Sequence, residues 1–150
     1  MKTELHERGQ VVAEARKWIG TPYHNCADVR SAGVDCGMLL VRVFADTGLV
    51  ESFDPRPYPP DWHLHRSDER YLGWLFDRTG EVESPGLGDV IVFKYGRTFS
   101  HGAIVTGLDP ITVVHAFQPY GRVCEEGLLQ NIQLIEPKRP RRHFSVWAKK

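Results

Sequence analysis

Three cysteines and seven histidines supply the nucleophiles and proton carriers of this chain that can work near neutral pH. The cysteines sit in different surroundings. Cys124 precedes Glu125 and Glu126, whose charges disfavour a thiolate. Cys26 falls in a turn-rich loop with no predicted helix end or fixed cation beside it. Cys36 follows Asp35 at the predicted start of a helix, where free backbone N–H groups and the helix dipole favour negative charge. Thiols placed this way drop from about 8.5 into a range of about 3.5–7.5. Asp35 is a natural N-cap for that helix, and its own charge partly opposes the thiolate. The plainer alternative is a packed, inert cysteine.

A nucleophilic thiol needs a base, and the base needs a neighbour to fix its tautomer and orientation. His6 and His143 lie near the termini, and His63 and His65 sit in or beside a proline-rich stretch. His101 and His115 differ, because each lies in a predicted strand of one hairpin, joined through Gly107-Leu108-Asp109-Pro110. The start of the first strand lies beside the end of the second, so the two should be neighbours. A tight, even turn would pair His101 with Ala116 and set the imidazoles on opposite faces. An odd loop or a bulge would pair the histidines directly. The spacing leaves both open, and two half-buried histidines bonded to backbone remain the structural alternative.

The elements that must carry these residues divide into a helical first half and a strand-rich second half. Leu5, Val11, Val12, Ala15, Trp18 and Ile19 fall at helical spacing over residues 3–19, and Gly20-Thr21-Pro22 stops that helix. A second helix begins near Asp35, with Leu39, Leu40, Val43 and Phe44 as its buried stripe and Gly48 near its end. Residues 51–65 hold four prolines and read as extended loop. Ser67 can cap a third helix, with Asp68 and Glu69 in its first turn and Gly80 as its stop. Strands are expected at 89–95, 101–107 and 111–117, and further ones at 121–125, 129–136 and 142–148. Short connections between them imply an antiparallel meander, so the class is α+β, with N-terminal helices packed on an antiparallel sheet.

Length and composition bound the function. At 150 residues the chain is one domain, 1–150, with a core that needs no disulfide framework. Nineteen Lys and Arg balance nineteen Asp and Glu, which gives no case for a nucleic-acid partner. The longest apolar run, Met38 to Val41, is too short to cross a membrane. The N-terminal MKTELHERGQ is too charged for a signal peptide, so synthesis and folding in the cytoplasm are expected.

Four segments then fall into a recognisable order: GTPYHNCADVRSAGVDCGMLL (20–40), GLGDVIVF (86–93), SHGAIVTG (100–107) and VVHAF (113–117). Together they resemble the NlpC-type cell-wall cysteine peptidases, papain-like hydrolases that cut peptide bonds in the stem peptides of bacterial peptidoglycan. The resemblance implies a papain-like NlpC-type fold, Cys36 as nucleophile, His101 as general base and His115 as the residue orienting it. It places Tyr23, with Asp35, at the oxyanion and substrate side of the site, and makes the backbone N–H of Cys36 a further oxyanion donor. A histidine as third member implies no buried negative charge behind it, so His115 would chiefly fix the tautomer and ring orientation. No metal or other cofactor is called for.

Two departures bear on specificity. Where many members carry D-C-S-G, this chain has Asp35-Cys36-Gly37-Met38, and the usual Gly-rich stretch after G-T-P-Y is replaced by His24-Asn25-Cys26-Ala27-Asp28. The D-C-G form, the longer loop and the stretch PYPPDWHLHRSDERYL (57–72) are similar to a branch found in tailed phages and prophages. That branch implies delivery in a virion tail, action on the bacterial cell wall, and tail proteins as partners. The basic run KRPRRHF (138–144) could dock on such a protein or on anionic wall polymer, or be a solvated terminal strand. Other readings are a catalytically silent tail adaptor, a thioesterase or acyltransferase, and a metal site drawn from His24, Cys26, Cys36, Asp61, His63 and His65.

Overall fold

A computed structural model describes residues 3–58, 69–135 and 139–149. Helix α1 (Glu4–Arg16) opens with Thr3, whose hydroxyl accepts the His6 N–H at 3.1 Å, and buries Val11, Val12 and Ala15. It is shorter than the periodicity predicts, because the chain turns after Arg16; Trp18 is still buried. A short ribbon pairs β1 (Asp28–Val29) with β2 (Gly33–Val34) inside the loop that leads to α2 (Cys36–Asp46). Asp35 is the N-cap of α2, its carboxylate accepting the Met38 N–H at 2.8 Å. The predicted stripe of Leu39, Leu40, Val43 and Phe44 is buried, joined by Met38 and Val41.

The third helix is described from Arg70 to Arg78 (α3), and its proposed cap Ser67, with Asp68, lies outside the described residues. Gly80 does not stop this helix. Thr79 does, and Gly80 instead opens strand β3 (Gly80–Val82), where a Cβ would run into the backbone of Ala148.

The remaining strands are β4 (Val90–Tyr95), β5 (Thr98–Gly107), β6 (Thr112–Phe117), β7 (Arg122–Gly127) and β8 (Arg141–Ser145). Strands β4 to β7 form the expected meander, but β8 returns to the other side of β4, giving the order β3-β8-β4-β5-β6-β7 with antiparallel pairs. The strand expected at 129–136 is absent among the described residues. Leu128–Gln130 form a 3₁₀ turn and Ile132–Ile135 a short helix, α4. Asn131 accounts for the change, because its side-chain oxygen accepts the Leu134 N–H at 3.2 Å and competes with any ladder bond. Strand β8 likewise ends early, in a 3₁₀ turn over Val146–Ala148.

Alternation along the strands builds a core on both faces of the sheet. Val90, Val92, Ile104, Val114 and Phe144 face the helices, while Ile91, Phe93, Ala103, Val105, Val113 and Phe117 face Leu128 and Leu134. The GLGD segment ties the two halves of the chain together. Arg8 of α1 donates to the Leu87 carbonyl at 2.7 Å and to Asp89 at 2.9 Å, while Gly88 takes a left-handed φ of 81° against Val11 and Trp147. Of the basic run 138–144, residues 141–144 lie in β8, and Lys138 lies outside the described residues. Arg142 pairs with Glu81 at 2.6 Å, and Arg139 stacks on Tyr95 at 3.7 Å.

Candidate active site

The sheet register decides how His101 and His115 meet. Strands β5 and β6 pair Ile104 with Val114 and Val105 with Val113, and a bulge at Thr106 separates these from Gly107–Thr112. Extending that register sets His101 opposite Phe117 and His115 opposite Ala103. Neither simple register is therefore correct. The histidines are diagonal neighbours on one face, within reach of long side chains. His101 Nε2 lies 2.8 Å from His115 Nδ1, and both rings are buried. Phe93, Tyr95 and Phe117 surround the His101 ring at centroid distances of 5.5–6.0 Å.

Cys36 reaches the same strand from the first turn of α2. Its Sγ donates to the carbonyl of Ser100, the residue before His101, at 3.4 Å. Tyr71 of α3 donates its hydroxyl to the Cys36 carbonyl at 3.2 Å, fixing the helix start from the other side. The thiol does not behave as its position at a helix N-terminus predicts. Desolvation raises it to about 12, helped by the Asp35 charge, and these effects outweigh the nearby N–H groups of Cys36, Gly37 and Gly102. His101 is held well below the usual imidazole range by burial, then by His115 and Arg139. The resting pair is therefore a neutral thiol and a neutral imidazole.

Tyr23 enters from the loop, where its N–H donates to the Gly121 carbonyl at 2.8 Å. Its hydroxyl lies beside both the thiol and the backbone N–H of Cys36, and burial, with the Asp35 charge nearby, keeps it protonated. Tyr23, Asp35, Cys36, Tyr58, Tyr71 and Trp74 line one recess. The Asp35 carboxylate is buried, and it accepts from Met38, from the Cys26 N–H at 2.7 Å and from the Tyr58 hydroxyl. The proline-rich segment supplies that tyrosine. Arg56 anchors the segment through the Cys26 carbonyl and the Asp28 carboxylate, both at 3.0 Å.

Behind His115 stands a group the sequence did not single out for this site. Glu126 Oε2 lies 2.6 Å from His115 Nε2, so the expectation of no negative charge behind the third member is wrong. The sheet register, which the sequence did not show, brings Glu126 there. It lies two residues beyond Cys124, which pairs with His115 across β6 and β7, and so faces the same side of the sheet. Burial disfavours its charge but is outweighed by hydrogen bonds from His115, Asn131 and Tyr120, which hold its carboxyl at about 2. Cys124 is raised to about 12 by burial and by that carboxylate.

Of the residues weighed for a metal site, Asp61, His63 and His65 lie outside the described residues. Among the described residues, His115, Cys124 and Glu126 place ligand-type atoms within 4.8 Å of one another. Their lone pairs and hydrogens are already matched to each other, however, so the group reads as a hydrogen-bonded relay.

No protein-family model and no curated protein matches the chain. Solved structures do. The NlpC/p60 domain of the peptidoglycan hydrolase SagA is 21% identical, covering 90% of this chain and 96% of that one at a TM-score of 0.56. The P60 domain of an antigen from M. avium subspecies paratuberculosis is 16% identical, covering 93% and 94% at 0.61. An N-acetylmuramoyl-L-alanine amidase from Bacteroides uniformis is 14% identical, covering 92% and 98% at 0.61. The chain has the mixed helix and antiparallel-sheet fold of the NlpC/p60 domains.

Proposed function

We propose that this protein is a cysteine peptidase that hydrolyses peptide bonds in peptidoglycan stem peptides, with Cys36 as nucleophile, His101 as base and His115 orienting His101. The observation that carries this reading is the buried His101–His115 pair beside a cysteine at a helix start, in a fold shared with peptidoglycan hydrolases. The thiol swings from the Ser100 carbonyl to His101 Nδ1 and gives up its proton as sulfur attacks the scissile carbonyl. Tyr23 and the Cys36 N–H donate to the oxyanion. The protonated His101 returns its proton to the leaving amine, and water then hydrolyses the thioester with His101 again as base.

We place its site of action at the bacterial wall, reached with a phage or prophage tail, on the strength of the D-C-G form and the 57–72 stretch. Mass spectrometry of purified virions tests that placement.

The activity is tested by digesting purified peptidoglycan with wild type, Cys36→Ala and His101→Ala and identifying fragments by mass spectrometry. New amino and carboxyl ends in wild type alone are expected, and their position names the bond. Equal digestion by Cys36→Ala would overturn the mechanism. Folded wild type that releases nothing favours the adaptor, and release of an acyl group without stem-peptide cleavage favours a thioesterase or acyltransferase.

A further inference from the structure

Glu126 sits on β7 with its side chain 14% exposed, and hydrogen-bond donors converge on it from several elements. His115 Nε2 approaches at 2.6 Å, Asn131 Nδ2 at 3.0 Å, the Tyr120 hydroxyl at 3.1 Å and Cys124 Sγ at 3.7 Å. None of these groups touches Cys36. The carboxylate nevertheless constrains the base two rings away.

An ionised carboxylate offers only lone pairs, so the hydrogen in its contact with His115 belongs to His115 Nε2. With its one ring proton at Nε2, His115 presents a lone pair at Nδ1. That lone pair faces His101 Nε2 at 2.8 Å, so the hydrogen in the second contact belongs to His101 Nε2. His101 is left with its lone pair at Nδ1, on the far edge of the ring. A thiol proton can be accepted only there. Reversing any one hydrogen reverses the chain and fills the nitrogen that must act as base.

We propose that Glu126 is a positioning residue that sets the direction of the hydrogen bonds running from it through His115 to His101, and so keeps His101 Nδ1 open to the thiol. The role rests on the peptidase reading above and names what controls its base. The site is built for it. His115 is fully buried and stacks on Phe117 at 5.0 Å, which limits water from substituting as acceptor. Asn131 and Tyr120 hold the carboxylate by donating to it, so its acceptor face stays turned to His115. The other groups facing His101 are Tyr95, with Arg139 stacked over it, and the aromatic rings of Phe93 and Phe117. During acyl transfer the thiol proton goes to Nδ1, giving an imidazolium that keeps its Nε2–H on His115. The Nδ1 proton then leaves with the amine, and the original direction is restored.

The test begins with wild type. In ¹⁵N-histidine-labelled protein at pH 7, two-bond N–H couplings should show both His101 and His115 protonated at Nε2 only. A proton on His101 Nδ1, or protons on both nitrogens of His115, would overturn the proposal without any variant. Glu126→Leu removes the acceptor. It should give mixed His101 tautomers and lower kcat on soluble muropeptides by on the order of 10- to 100-fold, with KM little changed. Glu126→Gln still presents an oxygen to His115 and should restore the Nε2–H tautomer and most of kcat. A folded Glu126→Leu protein that keeps the wild-type tautomer and kcat would sink the role. Should that variant not fold, the wild-type couplings and the Gln variant still decide. Wild type that cleaves no muropeptide while showing the expected tautomers would remove the peptidase reading and leave the direction of the chain standing.

Discussion

The hydroxyl of Tyr58 lies 2.8 and 2.7 Å from the two carboxylate oxygens of Asp35, bridging the proline-rich segment to the residue before Cys36. The same carboxylate caps α2 through Met38 and holds the loop through the Cys26 N–H. One buried acid therefore sets where the cysteine helix starts, where the loop before it runs and where the proline-rich segment lies. Every group facing it is a donor, so an amide cannot replace it well.

Asp35→Asn should accordingly cost about 1–3 kcal/mol, because its NH₂ must face N–H or O–H donors inside the protein. Tyr58→Phe removes a donor and should cost about 1 kcal/mol. Urea unfolding of the three proteins checks both values. An unchanged midpoint for Asp35→Asn would mean that the carboxylate is not the anchor described.

The thiol of Cys36 is raised to about 12, so at neutral pH it keeps its proton. Alkylation by iodoacetamide, followed on the Cys36 peptide by mass spectrometry, should rise about tenfold per pH unit between about pH 7 and 9. A rate already level near pH 6 would point to a thiolate–imidazolium pair at rest.

Gly102 follows His101, and a Cβ there would collide with the hydroxyl of Tyr71, which bonds the Cys36 carbonyl. Tyr71 is buried and has little room to retreat. Gly102→Ala should lower stability by about 1–3 kcal/mol and depress muropeptide cleavage more than stability alone explains. Thermal melting and kinetics at a temperature where the variant stays folded separate the two effects.

Acid should release the Glu126 relay. Its folded carboxyl sits at about 2, below the ordinary value. The resulting stabilisation is therefore present above the unfolded value of about 4.3 and is lost as pH falls toward 2. The stability gap between wild type and Glu126→Gln should narrow as pH falls from 6 to 2. A gap independent of pH would show that the contact with His115 does not depend on charge.

Much of this arrangement could be read along the chain because it depends on neighbours in sequence. Asp35 before a helical stripe specifies an N-cap wherever that helix packs, and β-branched runs separated by turn formers specify the meander. The strand expected at 129–136 failed for a reason equally local, since Asn131 takes a backbone partner of its own.

The sequence by itself determined the helix that carries Cys36, the hairpin that carries His101 and His115, and the α+β class. Tertiary structure alone decided the relations between them. The bulge at Thr106 selected a diagonal register that the loop length left open. Burial and the Asp35 charge overrode the helix dipole at Cys36, since desolvation depends on every element packed around the sulfur. Glu126 looked like a charge that merely disfavoured a thiolate at Cys124. Only the pairing of β6 with β7 turned it toward His115, because which face a strand residue shares with its neighbours is fixed by register across the sheet.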